Sequence, residues 1–258
     1  MPRNNKPTLD ADKMTDNLMI QIKEYLNKHG FEAFCPKAVL FDMDGVLYNS
    51  MPHHAVAWQK SMAEFGINMT EADAYATEGA RGIDTIRHMV KLQQGRDISL
   101  EEAQRMYDLK TQLFHEMPEA PIFDGVMSLM KQIKEEGMTV GVVTGSGQRP
   151  LINRLLTDFG EFLDESHIVT AYDVTHGKPN PEPYLMGLRK AGNLQPWQGI
   201  VVENAPLGVR AGVAAGCLTV AVNTGPLPNE DLAREGAHLI YNNMVELSNN
   251  FKALINNK

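Results

Sequence analysis

From Pro118 onward, short runs rich in Val, Ile and Ala alternate with longer stretches of helical periodicity, and this alternation most constrains the fold. The runs fall at 138–144 (Met-Thr-Val-Gly-Val-Val-Thr), near 167–171, at 199–203 (Gly-Ile-Val-Val-Glu), 217–223 and 238–241. Helices are expected over 125–136, 149–159, 181–191, 206–215 and 243–255. Repeated strand–helix units of this kind predict a parallel sheet with helices on both faces. One further run, 38–42, lies upstream. Between it and Pro118 no convincing strand occurs, and residues 51–117 read as helices near 52–65, 70–79, 84–93 and 100–116. Thr70 with Asp73 resembles a helix cap, and Ser99 with Glu102 reads as the cleaner capping box. The expected fold is therefore α/β: a doubly wound parallel sheet built from 36–50 and 118–258, with an all-helical cap inserted at 51–117.

Residues 1–35 form an N-terminal extension whose role the sequence leaves open. Residues 1–14 are polar and expected to be loose. Leu18, Met19, Ile22, Tyr25 and Leu26 follow at helical spacing, and Gly30 is placed to end that helix. The 258-residue chain is 43% hydrophobic and 22% charged, enough for an ordinary core. A net charge of −8 with no Lys/Arg block argues against non-specific nucleic-acid binding. The two cysteines, Cys35 and Cys217, match neither a metal-ligand spacing nor a disulfide framework. The start lacks the apolar core of a signal peptide, and no apolar run reaches membrane-spanning length. A cytoplasmic protein without nucleic-acid or membrane partners is the expectation, with a monomer preferred and an oligomer left open.

Four expected strands end in polar residues. Ala38 to Phe41 stops at Asp42 and Asp44, followed by Gly45. Val140 to Val143 leads into Thr144-Gly145-Ser146. Lys178 lies in Gly-Lys-Pro-Asn-Pro-Glu, and Ile200 to Val202 leads into Glu203-Asn204. In an open parallel sheet the carboxyl ends of strands share one edge, where ligands bind. Two aspartates at one strand end repel each other unless a cation or proton intervenes, which points to a hard, oxygen-liking metal such as Mg²⁺. The inventory suits phosphoryl transfer: a carboxylate nucleophile, hydroxyl and glycine N–H groups for phosphate oxygens, and a lysine against developing charge. Each piece has a plainer reading. Asp-Gly is common in turns. Thr144 and Ser146 can cap the next helix, Lys178 can be a solvated loop lysine, and Glu203-Asn204 can cap a helix opening at Pro206.

Taken together, these four motifs resemble the haloacid dehalogenase superfamily, in the branch of β-phosphoglucomutase and related small-molecule phosphatases. The resemblance runs from residue 38 to the C-terminus and implies a Rossmann-like core. It implies that Asp42 is the nucleophile and Asp44 the general acid/base, with the Asp44 carbonyl also on Mg²⁺. It implies that Thr144 and Gly145 bind phosphoryl oxygens, that Lys178 pairs with Asp42 and the phosphate, and that Glu203 and Asn204 hold the metal directly or through water. Many relatives carry Glu-Asp where this chain has Glu203-Asn204. Asn keeps a carbonyl oxygen for Mg²⁺ but lacks the charge. The expected consequence is weaker metal binding or heavier reliance on Glu203, unless relatives of this kind simply coordinate through Asn.

His54-Ala-Val-Ala-Trp58 resembles a His-x-x-Ala-Trp segment tied in this family to the acid/base and the cap hinge; the plainer reading is a surface histidine beside a packed tryptophan. Ser50 either binds substrate or caps the helix that follows. Gly79-Ala80-Arg81-Gly82 lies where the family's cap loop reads the substrate, and Arg81 is a candidate for a second anionic group. The mutase arginine, however, matches Gly82 better, which weighs against a mutase. Lys110, in Lys-x-x-x-Phe114, is a second cationic candidate, and Ser146 joins Gly145 as a substrate-binding candidate. The expected activity is Mg²⁺-dependent hydrolysis of a small phosphorylated metabolite, a sugar phosphate by preference. The alternatives are β-phosphoglucomutase, inorganic pyrophosphatase, and a non-catalytic phosphometabolite-binding module.

Overall fold

A computed structural model describes residues 11–147 and 149–256. Six parallel strands form one sheet in the order β3-β2-β1-β4-β5-β6. They are β1 (Ala38–Phe41), β2 (Thr139–Val143), β3 (Ile168–Val169), β4 (Gly199–Glu203), β5 (Leu218–Val222) and β6 (Leu239–Tyr241). The chain winds outward from β1 to β3, returns to β4 on the other side of β1, and continues to β6. The expected doubly wound α/β sheet is thus observed, with the strand order reversing between β1 and β4. Ligands bind at such a reversal.

Strand alternation sends the two faces of β1 into different cores. Val39 and Phe41 join a large cluster with Val140, Val142, Leu129 and Phe251, whereas Ala38 and Leu40 pack with Val143, Tyr184, Leu188 and Ala211. The helices on these faces are α6 (Val126–Glu135), α7 (Arg149–Phe159), α8 (Glu182–Lys190), α9 (Pro206–Ala214) and α11 (Met244–Asn256). The short α10 (Asn229–Arg234) is an element the sequence reading did not include. Its six residues bury a single leucine, Leu232, too little periodicity to register.

Helix α1 (Ala11–His29) is not a free appendage. Leu18, Ile22 and Tyr25 enter the large core cluster, and the Tyr25 hydroxyl donates to the Gly216 carbonyl at 2.9 Å. The loose segment expected at 1–14 falls mostly on residues 1–10, which lie outside the described residues.

Between β1 and α6 the chain forms α2 (Met51–Ala63), α3 (Glu71–Ala76), α4 (Gly82–Gln94) and α5 (Leu100–His115). They share a separate apolar cluster of Trp58, Met62, Ile86, Met89, Val90 and Met106. The caps reverse the expected ranking. Thr70 and Asp73 form the full reciprocal box, whereas Ser99 only accepts from the Glu102 N–H, because Arg96 holds the Glu102 carboxylate at 2.8 Å. No helix among the described residues is long and apolar enough to cross a membrane.

Candidate active site

The end of β1 places Asp42 and Asp44 in the crevice between β1 and β4. Phe41 pairs with Val202, and the Asp42 N–H continues the ladder to the Val202 carbonyl at 3.0 Å, so Asp42 stands beside Glu203. Gly45 turns the chain at φ +78°, and a Cβ there would lie 2.0 Å from Asn204 Nδ2. Only glycine combines that φ with that approach, which gives the Asp-Gly step a packing reason beyond a generic turn.

Lys178 reaches the same crevice from the loop after β3. It is buried at 4% exposure, and its ammonium donates to Asp42, to Glu203 Oε1 at 2.6 Å and to the Val143 carbonyl at 3.1 Å. It is therefore not a solvated loop lysine. Burial alone would discharge it, but Asp42 and Glu203 outweigh burial and raise its pKa.

Glu203 has no oxygen lone pair to spare. Oε1 accepts from Lys178 and from the Tyr184 hydroxyl, each at 2.6 Å; Oε2 accepts from the backbone N–H groups of Asn204 at 3.0 Å and Ala205 at 3.3 Å. Four donors fill the roughly four acceptor sites of a carboxylate. The plainer expectation that Glu203 caps the following helix is not met, since both backbone bonds fall on residues 204 and 205, ahead of Pro206. Asn204 is arranged otherwise. Its Nδ2 donates to both oxygens of Glu78, at 3.0 and 2.9 Å, and leaves Oδ1 buried and unpartnered.

Glu78 is one residue that the sequence reading missed. It sits between α3 and α4, next to Gly79, and is 9% exposed. Burial, then the charge of Asp42, push its carboxyl well above the usual range, against the pull of its bond to Asn204. In the sequence it is one acid among many in a helix-connecting loop; only the flanking Gly79 and Gly82 hint at close packing.

Asp44 belongs to a second network. Ser50 Oγ donates to Asp44 Oδ1 at 2.6 Å and makes no capping bond to its own helix. His54 Nε2 stands 3.2 Å from the same oxygen, within ion-pair reach but misaligned for a hydrogen bond. Lys110, buried on α5, donates to His54 Nδ1 at 2.6 Å, which assigns the imidazole proton to Nε2, facing Asp44. Phe114 stacks on His54 at 4.0 Å, and the rings of Trp58 and Phe114 lie 5.2 and 5.0 Å from the Lys110 ammonium. Burial pushes Lys110 down to about 8 and lowers His54. Burial would raise Asp44 as well, but His54, Ser50 and Lys110 together bring it down to about 2. Asp42 is shifted the other way, upward, by burial and by Glu203 and Asp44, with Lys178 opposing.

Thr144, Gly145 and Ser146 line the same chamber, with the Ser146 N–H donating to Thr144 Oγ1 at 3.1 Å. Of the expected site residues, Asp42, Asp44, His54, Lys110, Thr144, Gly145 and Ser146 face one chamber; Lys178, Glu203 and Asn204 adjoin Asp42, and Ser50 holds Asp44. Arg81 is directed elsewhere. It pairs with Asp84 at 2.7 Å, donates to the Thr175 carbonyl at 3.2 Å and does not line the chamber.

The donor set fits Mg²⁺. Asp42, Glu78 and the orphaned Asn204 Oδ1 are oxygen donors in a buried region with more negative than positive charge, which a hard divalent cation would relieve. Among the described residues no three His, Cys, Asp or Glu side chains form a ready-made cage.

A family model described as haloacid dehalogenase-like hydrolase matches residues 39–222. The chain belongs to that family and is an enzyme of it. It is 32% identical over 189 residues to hexitol phosphatase A of Escherichia coli, covering 72% of this chain and 83% of that one. It is likewise 32% identical over 188 residues to validoxylamine A 7'-phosphate phosphatase of Streptomyces hygroscopicus, covering 73% and 86%. Among solved structures, a candidate β-phosphoglucomutase from Bacteroides vulgatus is 44% identical, with a TM-score of 0.90 over 94% of this chain and 98% of that one.

Proposed function

We propose that this protein is a Mg²⁺-dependent phosphohydrolase that cleaves a small phosphate ester through an aspartyl-phosphate on Asp42. The observation that carries the reading is the division of the two aspartates between two networks: Asp42 on Lys178 beside Glu203, and Asp44 on Ser50 beside His54 and Lys110. The names of the relatives, hexitol phosphatase A and validoxylamine A 7'-phosphate phosphatase, support a phosphorylated carbohydrate as the substrate class.

Asp42 attacks phosphorus, and Lys178 holds its carboxylate in place and neutralises charge on the phosphoryl oxygens. Thr144 and the Gly145–Ser146 backbone accommodate those oxygens. Asp44 manages the proton of the leaving oxygen and then of the attacking water. In the protein alone, Asp44 is the stronger acid of the pair, the inverse of what the reaction requires. Mg²⁺ held by Asp42, Asn204 and Glu78 would supply positive charge that lowers Asp42 and offsets charge on the phosphoryl group. Glu203 acts as the fixed anchor of Lys178, its oxygens being already taken. The helices α2–α5 serve as a cap whose loop over residues 77–80 closes the chamber.

A mutase must also grip a second phosphate. Arg81 is committed to Asp84 and the Thr175 carbonyl, and position 82 is glycine, so among the described residues no guanidinium lines the chamber to take it. Hydrolysis is the better-supported outcome.

The test is phosphate release from a panel of phosphorylated carbohydrates and inorganic pyrophosphate, with Mg²⁺ and with chelator, for the wild type and Asp42→Asn. Metal-dependent release that the variant loses supports the reading. Conversion of β-glucose 1-phosphate to glucose 6-phosphate without free phosphate would replace it with the mutase, and ligand binding with no turnover would replace it with a binding module.

A further inference from the structure

One wall of the chamber is set by a close packing contact between two cap helices. Gly82 opens α4 directly against the ring of Tyr107 on α5. A Cβ at position 82 would fall 2.0 Å from Tyr107 Cε2 and 2.4 Å from Cδ2. The absence of a side chain at 82 therefore lets the Tyr107 ring occupy that wall. There it lies 6.2 Å from the Trp58 ring and 6.0 Å from the Lys110 ammonium.

The cap loop is seated on the core. Glu78 is bonded to Asn204, Arg81 to the Thr175 carbonyl, and the Tyr75 ring packs within 3 Å of where a Cβ on Gly225 would be. In this arrangement the chamber, partly open to solvent, measures about 100 Å³. That is room for on the order of three to eight water-sized groups, well under the roughly 300–1,000 Å³ of ordinary small-molecule clefts. A phosphoryl group with a leaving group of roughly two or three carbons fills such a space; a pyranose ring or an open six-carbon chain has to extend beyond it.

Resting on the hydrolase reading above, we infer that Tyr107, admitted by Gly82, is a specificity-determining residue that limits the substrate to short-chain phosphate esters. Its ring lines the chamber beside Trp58 and Lys110. The wall around it supplies the hydroxyls of Thr85 and Thr111 and the face of Trp58, partners for a compact polar leaving group. Selection is thus by exclusion of volume, and truncating the ring relaxes it.

The experiment compares kcat/KM for glycerol 3-phosphate and phosphoglycolate with that for glucose 6-phosphate and sorbitol 6-phosphate, in Mg²⁺, for the wild type, Tyr107→Phe, Tyr107→Ala and Tyr107→Val. The wild type is expected to favour the better short ester at least about tenfold. The Ala and Val variants are expected to lower that ratio at least about tenfold by raising kcat/KM for the hexose phosphates, and Tyr107→Phe to keep it. Thermal melts identify a variant that has not folded, and either truncation suffices. Preference of the wild type for the hexose phosphates, or equal losses in both series on truncation, overturns the inference while leaving the hydrolase reading intact. Failure of the wild type to release phosphate from any phosphorylated substrate, including the broader panel, overturns the hydrolase reading and this inference with it.

Discussion

Tyr184→Phe removes one oxygen atom from the buried site and leaves the ring in place. That oxygen donates to Glu203 Oε1 at 2.6 Å, with Tyr184 fully buried and Glu203 only 1% exposed. The length is that of a charge-assisted bond. Hydrogen bonds to charged groups are worth about 1.5–3 kcal/mol, and no water can replace this donor without a cavity. For a chain of this size each kcal/mol moves the melting temperature by about 2–4 °C, so the variant should melt about 3–12 °C lower. The urea midpoint should fall with the slope unchanged, since the surface exposed on unfolding is the same. Turnover should drop by no more than about tenfold with KM unaltered, because Lys178 and two backbone N–H groups still hold Glu203. A melting temperature within about 1 °C of the wild type would refute the reasoning: Glu203 would then be fully satisfied by three donors, and the four-donor description of its anchoring role would be wrong.

Lys110 is pushed down to about 8 by burial and is charged only below that pH. The alkaline limb of kcat should therefore fall through about pH 8, and Lys110→Met should lower kcat at neutral pH and remove that limb. Glu78→Gln keeps an acceptor for Asn204 but removes a buried charge whose pKa is raised. Near neutral pH the chelated protein should melt a few degrees higher, while the melting gain on adding Mg²⁺ shrinks. His238 is held down to about 4 by burial, with Lys28 and His29 adding to the effect. A depressed folded-state pKa means stability that is complete above the ordinary histidine value of about 6.5 and lost as pH falls through about 4. That loss is at most about 3 kcal/mol, and acid titration of stability should show it in the wild type and not in His238→Gln.

The sequence and the structure agree best where local pattern and tertiary position coincide. The Val-rich runs become strands within a residue or two of their expected ends, since buried parallel strands need little more than an apolar run. Asp42, Asp44, Thr144 and Glu203-Asn204 were legible because the strand ends that carry them converge by topology alone, whereas Lys178 comes from the loop nine residues beyond β3. Glu78 was not legible, because its significance depends on Asn204 lying across the crevice, a pairing of residues 126 positions apart. Arg81 illustrates the converse: a one-place shift along the chain turns its side chain from the chamber to the Thr175 carbonyl. The packing of α1 was half legible. The stripe of Leu18, Ile22 and Tyr25 marks an apolar face, but nothing local says which surface receives it.

The central position of β1 has a consequence for how the chain reaches this state. Ala38 pairs with Thr139 on one side and Gly199 on the other, roughly a hundred and a hundred and sixty residues later. During synthesis, then, Ala38-Val-Leu-Phe41 has no partner strand until the whole helical insert has emerged, and its second edge waits longer still. Sheets closed by such distant pairings assemble slowly and leave apolar edges open to other chains meanwhile. The insert's contacts are more local and it has an apolar cluster of its own, so it can condense first and shorten the loop that β2 must close. The element that lids the finished crevice is thereby also the one that brings the ends of the nascent sheet together.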